Sequence, residues 1–279
     1  GSIQWQSSTD NVTFTNIGGA TGASYTASNL TATTYYHAVL SNSPCTAATT
    51  TSVVVNVNAA PVAGSISGGG GTVCAGTNST VLNLTGQSGS IQWQSSTDNV
   101  NFTNIGGATG TSYTASNLTT TTYYHAVLSN SPCTAATTTS VVVNVNAAPV
   151  AGSISGGGGT VCSGTNSTVL NLTGQSGSIQ WQSSTDNVNF TNIGGATGTS
   201  YTASNLTATT YYHAVLSNAP CTAATTTSVV VNVNAAPVAG SISGGGVTVC
   251  SGTNSTVLNL TGQSGSIQWQ SSTDNVNFT

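Results

Sequence analysis

The stretch GSIQWQSSTDNVNF, residues 89–102, decides the fold of this chain. Apolar Ile91 and Trp93 alternate with polar Gln92 and Gln94, and this period of two residues indicates a β-strand with one buried face. The same stretch recurs every 88 residues, beginning at Gly1, Gly89, Gly177 and Gly265, and Thr13 in the first copy is its one substitution. The chain is therefore a tandem repeat, and one repeat predicts the architecture of all the others.

The copies are almost identical. Residues 1–88 differ from residues 89–176 at four positions, and residues 89–176 differ from the next copy at three, and every exchange involves a small or polar residue. We therefore predict a partial repeat at 1–58, complete repeats at 59–146 and 147–234, and a partial repeat at 235–279. Since both ends fall inside a repeat, we expect the chain to be a window of a longer polypeptide that continues in the same register.

The composition is hydrophobic enough to fold but almost free of charge. Hydrophobic residues make up 37% of the chain, while Lys, Arg and Glu are absent and the formal net charge is −4. A surface without cations cannot neutralise phosphates, so nucleic acid and anionic lipid are not predicted partners. No stretch approaches the roughly 20 apolar residues that cross a bilayer, so membrane insertion is not predicted either.

Each complete repeat shows seven or eight short alternating segments separated by turn residues. In the first complete repeat these strands are predicted at 62–67, 72–75, 80–86, 90–97, 101–105, 112–118, 122–130 and 138–146. No helical periodicity occurs, and so many short strands in under 100 residues predict an all-β, immunoglobulin-like sandwich. The predicted core consists of valines of the last strand together with Leu82, Leu84, Ile91, Trp93, Phe102, Leu118, Tyr124, Ala126 and Leu128.

Several local motifs agree with one family. They are VC.G at 73–76, IQWQSS.D at 91–98, YTASNL at 113–118, TTYY.A at 121–126, and Cys133 ahead of VVVNV. Together they resemble the immunoglobulin-like tandem repeats of very large secreted or surface adhesins from gliding, type IX-secreting bacteria. The resemblance covers every repeat and implies an extracellular spacer or display domain. That family commonly has Arg after the tyrosine pair, whereas this chain has His125.

The sixth predicted strand carries a second immunoglobulin-like feature. Leu118 lies six residues before Tyr124, which predicts a tyrosine corner whose phenol bonds the backbone of the preceding turn. Two residues after Tyr124, where antibody domains place a core cysteine, this chain has Ala126. A disulfide, if present, must lie elsewhere in the domain.

Two cysteines fall in each repeat. We predict the bonds Cys74–Cys133 and Cys162–Cys221, each closing a loop of about 60 residues and stabilising a domain by roughly 4 kcal/mol. Such bonds imply an oxidising, extracellular setting. An alternative remains open, in which Cys74 reaches Cys221 of the next domain, because Cys133 is predicted at the N-terminal end of its domain and a cysteine in an ordinary first loop lies at the other end.

The repeats carry little catalytic chemistry. Asp98 is the only carboxylate of its repeat, too few for an acid/base pair or a calcium site, and is best interpreted as a turn residue. His125 is predicted to face solvent, where a hydrogen bond to Asp98 is possible, but zinc needs three or four ligands. The run Gly68–Gly71 is not followed by Lys and is predicted to be a connector. We predict no enzyme activity, no metal and no cofactor.

Two further kinds of site depend on exposed polar groups. Glycosylation sequons occur in each repeat, at Asn78, Asn83, Asn101 and Asn117. The first functional hypothesis is structural, a long extracellular rod or filament whose short linker NVNAAPVAG holds neighbouring repeats end to end, with lateral self-association possible. The alternative is a multivalent module that binds cell-surface glycans through the face formed by Gln92, Gln94, Tyr123 and His125.

Overall fold

The computed structural model describes residues 1–279, and all of its regular elements are β-strands. The chain divides into two compact units, residues 1–146 and residues 147–279. The first unit contains the partial repeat 1–58 and the second repeat, 59–146. The other unit contains the third repeat, 147–234, and the last partial repeat, 235–279.

The first partial repeat forms a single sheet. Its strands are β1 (Ser2–Ser8), β2 (Thr15–Asn16), β3 (Thr34–Ser41), β4 (Ala48–Thr49) and β5 (Val53–Val55). The order is β2-β1-β3-β4, and β5 also pairs with β3. Trp5 lies opposite Ala38 in the antiparallel register of β1 and β3, so the alternating stretch does form a strand.

The second repeat forms two sheets. Its strands are β6 (Ser65–Ser67), β7 (Thr72–Cys74), β8 (Ser79–Thr85), β9 (Ser90–Ser96), β10 (Thr103–Asn104), β11 (Ser112–Ser116), β12 (Thr122–Ser129), β13 (Ala136–Thr137) and β14 (Val141–Asn146). One sheet has the order β11-β8-β6, and the other has the order β10-β9-β12-β14-β7 with β13 on β12. The all-β sandwich predicted from the alternation is confirmed.

The core lies between the two sheets. Trp93 on β9 is fully buried, and its indole Nε1 donates to Gly110 O at 2.9 Å. Tyr113 bridges Trp93 and Tyr124, with ring centroids 5.9 and 5.5 Å away. The buried cluster takes residues from both sheets, namely Leu82, Leu84, Trp93, Ala115, Tyr124, Ala126, Leu128 and Val143.

One predicted core residue lies elsewhere. Phe102 is only half-buried and stacks against His125, with ring centroids 3.8 Å apart. Since His125 alternates with the buried Tyr124 and Ala126, Phe102 covers the outer face of its sheet. Ile91 and Leu118, also predicted for the core, are partly buried at its margin.

The glycine run Gly68–Gly71 connects the two sheets. It carries the chain from β6 in one sheet to β7 in the other, where β7 runs parallel to β14. Gly70 N donates to Val142 O, and a Cβ on Gly69 would lie 2.6 Å from the Cβ of Val141. Only a residue without a side chain fits so close to β14, which explains why the connector needs glycine at position 69.

The third repeat has the same two sheets. Its strands are β15 (Ser153–Ser155), β16 (Thr160–Cys162), β17 (Ser167–Thr173), β18 (Ser178–Ser184), β19 (Thr191–Asn192), β20 (Ser200–Ser204), β21 (Thr210–Ser217), β22 (Ala224–Thr225) and β23 (Val229–Asn234). Trp181 is fully buried in the equivalent core. The last partial repeat contributes only the hairpin of β24 (Ser241–Ser243) and β25 (Asn259–Thr261). No helix of the length and apolarity needed to cross a membrane is present.

Candidate functional site

Asp98 organises the turn between β9 and β10. Its Oδ1 accepts hydrogen bonds from Ser96 Oγ at 2.7 Å and from the backbone N–H groups of Val100 and Asn101, while its Oδ2 accepts one from Asn101 Nδ2. These bonds, led by the one from Ser96, lower the pKa of the exposed carboxyl below its ordinary value because they favour the charged form. The predicted turn role of Asp98 is confirmed, since its oxygens are taken up by its own turn.

His125 is held under Phe102 by its neighbours. Its Nε2 lies 2.6 Å from Gln94 Oε1, and Gln94 Nε2 donates to Asn104 Oδ1 at 2.7 Å. Burial beneath the phenyl ring lowers the pKa of the imidazole, because the cation loses hydration. His125 is therefore half-buried rather than freely exposed, and its partner is Gln94 rather than Asp98.

The predicted sugar-binding face is partly occupied by its own hydrogen bonds. Gln92 Nε2 donates to Trp93 O and Ile105 O, so this amide fixes the loop after β10 to its own strand. Gln94 bonds His125 and Asn104, as described above. Of the four predicted residues, only Tyr123 shows no side-chain hydrogen bond, so the face presents fewer free polar groups to a ligand than the sequence suggested.

A shallow cleft lies beside the Asp98 turn of each complete repeat. In the second repeat it has a volume of about 230 Å³ and is lined by Ser95, Ser96, Thr97, Asn101, Thr103 and Thr122. Ligand pockets are usually about 300 to 1,000 Å³. This cleft is smaller and open, and it is lined by serine, threonine and asparagine side chains. No group of three or more His, Cys, Asp or Glu residues is clustered as a metal site.

The predicted disulfide pairs Cys74–Cys133 and Cys162–Cys221 are wrong. Cys133 and Cys162 are free cysteines, whereas Cys74 and Cys221 are disulfide-bonded. Within the second repeat, Cys74 lies in register with Asn146 at the end of the last strand. The Cys133 thiol instead donates to Asn58 O at 3.3 Å, in the linker that leads into the second repeat.

The length of the domain separates these two cysteines. The whole of β12 lies between the end that carries Cys133 and the end that carries Cys74, a distance of roughly 30 Å at about 3.3 Å per strand residue. A disulfide requires Cα atoms within about 7 Å of each other. The predicted bond within the second repeat is therefore geometrically impossible, and the matching register of Cys162 with Asn234 places the third repeat's cysteine in the same way.

The four sequon asparagines lie in different environments. Asn78 Nδ2 donates to Cys74 O and Leu118 O, and its Oδ1 accepts from Leu118 N, so the amide is fully engaged. Asn101 donates to Asp98. Asn83 and Asn117 are exposed and make no side-chain hydrogen bond, and Asn117 has a left-handed φ of 54° in its turn. These two are the accessible acceptors of the predicted set.

Asn78 replaces the predicted tyrosine corner. The phenol of Tyr124 points toward Thr122, and its burial, followed by the proximity of Tyr113, raises its pKa to about 12. The backbone of Leu118, in the turn before Tyr124, is instead held by two of the hydrogen bonds of Asn78. Sequence reasoning treated Asn78 as a sequon, because nothing local marks an amide as the partner of a turn 40 residues later.

A second group missed by sequence reasoning lies where the second repeat begins. Asn130 Nδ2 donates to Ala59 O at 2.8 Å, and Asn58 Nδ2 donates to Ser131 O. Together with the Cys133 thiol, these bonds fasten the linker to the turn that follows β12. In the other unit, Asn218 donates to Ala147 O at 2.9 Å in the same way. The motif NSPC offered no signal for this role beyond its turn residues.

Comparisons with known proteins give structural neighbours of low identity. A marsupial T cell receptor shares 14% identity over 63% of this chain and 75% of its own, with a TM-score of 0.43. Extracellular domains 3–5 of Drosophila OTK share 14% over 84% and 86%, with a TM-score of 0.40, and the FN1–FN3 domains of chicken CNTN1 share 9% over 83% and 89%, with a TM-score of 0.30. A search of curated protein sequences found no match.

One family model matches the chain four times in succession. The matches cover residues 1–59, 62–147, 150–235 and 238–279, which is nearly the whole sequence. The tandem organisation read from the 88-residue spacing is thus also the organisation of the family matches. The chain belongs to the family described as Domain of unknown function (DUF8696).

Proposed function

We propose that this chain is a structural extracellular array, a segment of the stalk or surface filament of a large adhesin. Four successive domains of one family, two of them with the same complete core, support a spacer built by repetition. In such arrays each domain contacts only its neighbours in the chain, so repetition adds length. The adhesin setting comes from the sequence resemblance, and the partners of each repeat are its neighbours in the chain.

The observation that carries this proposal is the fastened linker within the first unit. Asn130 and Ser131, in the turn after β12, bond the backbone of Ala59 and the side chain of Asn58 respectively. Pro61 also packs beside Gly89, where an added Cβ would lie 3.2 Å from the proline ring. A linker held by hydrogen bonds and by a fixed proline resists bending, which is the property that a spacer requires.

A structural role also agrees with the chemistry of the polar residues. Asp98 bonds Ser96 and its own turn, whereas His125 bonds Gln94, so the two groups do not form an acid/base pair with each other. The disulfide-bonded state of Cys74 and Cys221 supports an oxidising location outside the cell. The absence of Lys and Arg also removes every trypsin cleavage site, an advantage for an exposed fibre.

Electron microscopy of the protein as secreted by its source tests this function. We expect extended particles in which one domain repeats at constant spacing, located at the cell surface or in the medium. A compact particle, or one confined to the cytosol, would overturn the proposal.

The linker itself is tested by Asn130→Ala. Elastase cleaves after small residues, so loss of the bond to Ala59 O is expected to raise the cleavage rate at Ala59 and Ala60 severalfold, read by mass spectrometry. Asn83→Ala is the matched control, because this exposed amide makes no hydrogen bond. Equal cleavage rates in the two variants would show that Asn130 does not hold the linker.

Glycan recognition is the second candidate function. Phe102 and Tyr123 leave partly exposed aromatic surface on the β9–β12 face, where sugar rings can stack. A glycan array probed with the chain separates the two functions. Binding that is lost when Tyr35, Tyr123 and Tyr211, the equivalent residues of three repeats, are all replaced by Ala would favour the adhesive module, and an array without signal would favour the spacer.

A further inference from the structure

The longest free sheet edge of each complete repeat is strand β11 or its equivalent β20. In the second repeat the other edge strands are shorter, with two residues each in β10 and β13 and three each in β6 and β7. Strand β11 has five residues and pairs on one side only, with β8. Short edge strands offer few free backbone groups to another chain, whereas a longer edge strand is a template for further strand pairing.

The backbone of β11 presents its free groups in one direction. Leu84 N donates to Thr111 O and Asn117 N donates to Asn78 O, so the odd-numbered residues face β8. By the alternation of antiparallel ladders, Ser112, Thr114 and Ser116 direct their N–H and C=O groups away from the sheet. The edge therefore offers three donors and three acceptors in regular spacing.

Nothing on this edge opposes pairing. Natural edges are protected by Lys, by Pro, by bulges or by inward charges. Strand β11 reads SYTAS, contains none of these, and its three outward side chains are small, exposed hydroxyls. Tyr113 and Ala115 point into the core and do not obstruct an approaching strand.

We propose that β11 and β20 are lateral docking edges that take the same edge of a second copy of this chain, joining two sheets into one. A two-fold axis at Thr114 pairs Thr114 with its own copy and Ser112 with Ser116, and all outward backbone groups find partners. The contact is self-complementary, as isologous interfaces must be. The one carboxylate of the repeat lies in the β9–β10 turn, so no charge on this edge repels a second copy or favours a charged foreign partner.

The length of the edge predicts a weak contact for each repeat. Five residues of strand bury far less than the roughly 1,200 Å² of a stable specific interface. Association should therefore be concentration-dependent for this chain and should strengthen as repeats are added. This inference depends on the β11 edge alone and not on the adhesin role.

Sedimentation velocity over about a hundredfold range of concentration tests the proposal. The free thiols Cys45, Cys133, Cys162 and Cys250 are first alkylated, so that disulfide exchange cannot imitate association. We expect the sedimentation coefficient of the oxidised chain to rise with concentration. A chain that remains monomeric throughout would overturn the proposal.

Two double variants locate the contact. Thr114→Lys with Thr202→Lys places like charges face to face at the two-fold axis and is expected to abolish association. Val81→Lys with Val169→Lys is the matched control, because Val81 lies directly opposite Thr114, is 50% exposed on the same face, and belongs to a strand that is paired on both sides. Circular dichroism checks that both variants fold. If both lose association equally, the contact lies on the sheet face and the edge assignment is overturned.

Discussion

The same seven residues, SIQWQSS, have different structures in two parts of the molecule. At 90–96 they form β9, and Trp93 is completely buried, whereas at 266–272 they form no strand and Trp269 is 47% exposed. The second repeat supplies β12 as a hydrogen-bonding neighbour, and the last partial repeat does not. Alternation therefore marks a segment that can become a strand, and the paired neighbour decides whether it does.

The first partial repeat shows the complementary case. Its β1 to β5 form a sheet, but residues 24–28, equivalent to β11, form no strand, whereas β11 itself is paired with β8. Val55 is 40% exposed there, whereas the equivalent Val143 is completely buried. Each sheet thus depends on its own strand pairs, and burial of the core depends on both sheets together.

Removal of the central indole should have the largest effect on this comparison. Trp93→Ala takes away a fully buried ring and its hydrogen bond to Gly110 O, so we expect a loss of about 3 to 5 kcal/mol in the unfolding free energy of the second repeat. Hydrogen exchange read on a peptide that contains Thr120 and the start of β12 measures the change, because the first and third repeats have Ala at the position of Thr120.

The last partial repeat provides the control for that loss. Trp269→Ala removes the same side chain from an exposed position and should change the stability by under about 1 kcal/mol. Equal losses in the two variants would show that Trp93 is not the centre of a core specific to the complete repeat.

Asn78 should have the next largest effect. Asn78→Ala leaves Leu118 N, Leu118 O and Cys74 O without their side-chain partner and is expected to cost about 1 to 3 kcal/mol, measured by urea unfolding. Asn254→Ala, at the equivalent position of the last repeat, breaks only bonds to Cys250 O and Gly252 O within its own turn. A loss as large for Asn254 would contradict the bridging role of Asn78.

The sequence predicted those features that depend on local pattern. Alternation around Trp93 gave the strand, its buried face and the sandwich, and the period gave the tandem array. The errors concern contacts between residues far apart in the chain. Phe102 has the hydrophobicity of a core residue, yet it lies just before the two-residue edge strand β10, and its ring stacks on His125. Cys74 and Cys133 share a repeat, but the parallel pairing of β7 with β14 places them at opposite ends.

The complete repeats should show a pH dependence with two limbs. Burial lowers the pKa of His125 below its ordinary 6.5, so the unfolded chain binds a proton first, and stability falls as the pH drops below about 6.5. The lowered pKa of Asp98 adds a further fall below 3.8. Burial raises the pKa of Tyr124 from 10.0 to about 12, so stability also falls between these values. We expect a plateau from about pH 7 to 9.5.

Urea unfolding as a function of pH measures both limbs. His125→Gln with His213→Gln should flatten the step between pH 7 and 5 and leave the alkaline limb unchanged, because the second histidine has the same lowered pKa in the third repeat. An unchanged acid step in this double variant would assign the step to other groups.

The smallest expected effect is that of sodium chloride. The carboxylate of Asp98 is stabilised by hydrogen bonds from Ser96 and its own turn. Because the chain has no Lys or Arg, dissolved salt cannot weaken a surface ion pair between a carboxylate and one of these cations. The unfolding free energy at neutral pH should therefore change by under about 0.5 kcal/mol as sodium chloride is raised from low to high concentration.

Sodium sulfate is the informative control, because it strengthens apolar burial by exclusion from the surface and should stabilise the repeats with buried Trp93 and Trp181. A strong response to chloride would reveal an electrostatic contribution that the hydrogen-bonded turn does not explain. A response to sulfate alone would locate the stability of the array in its cores.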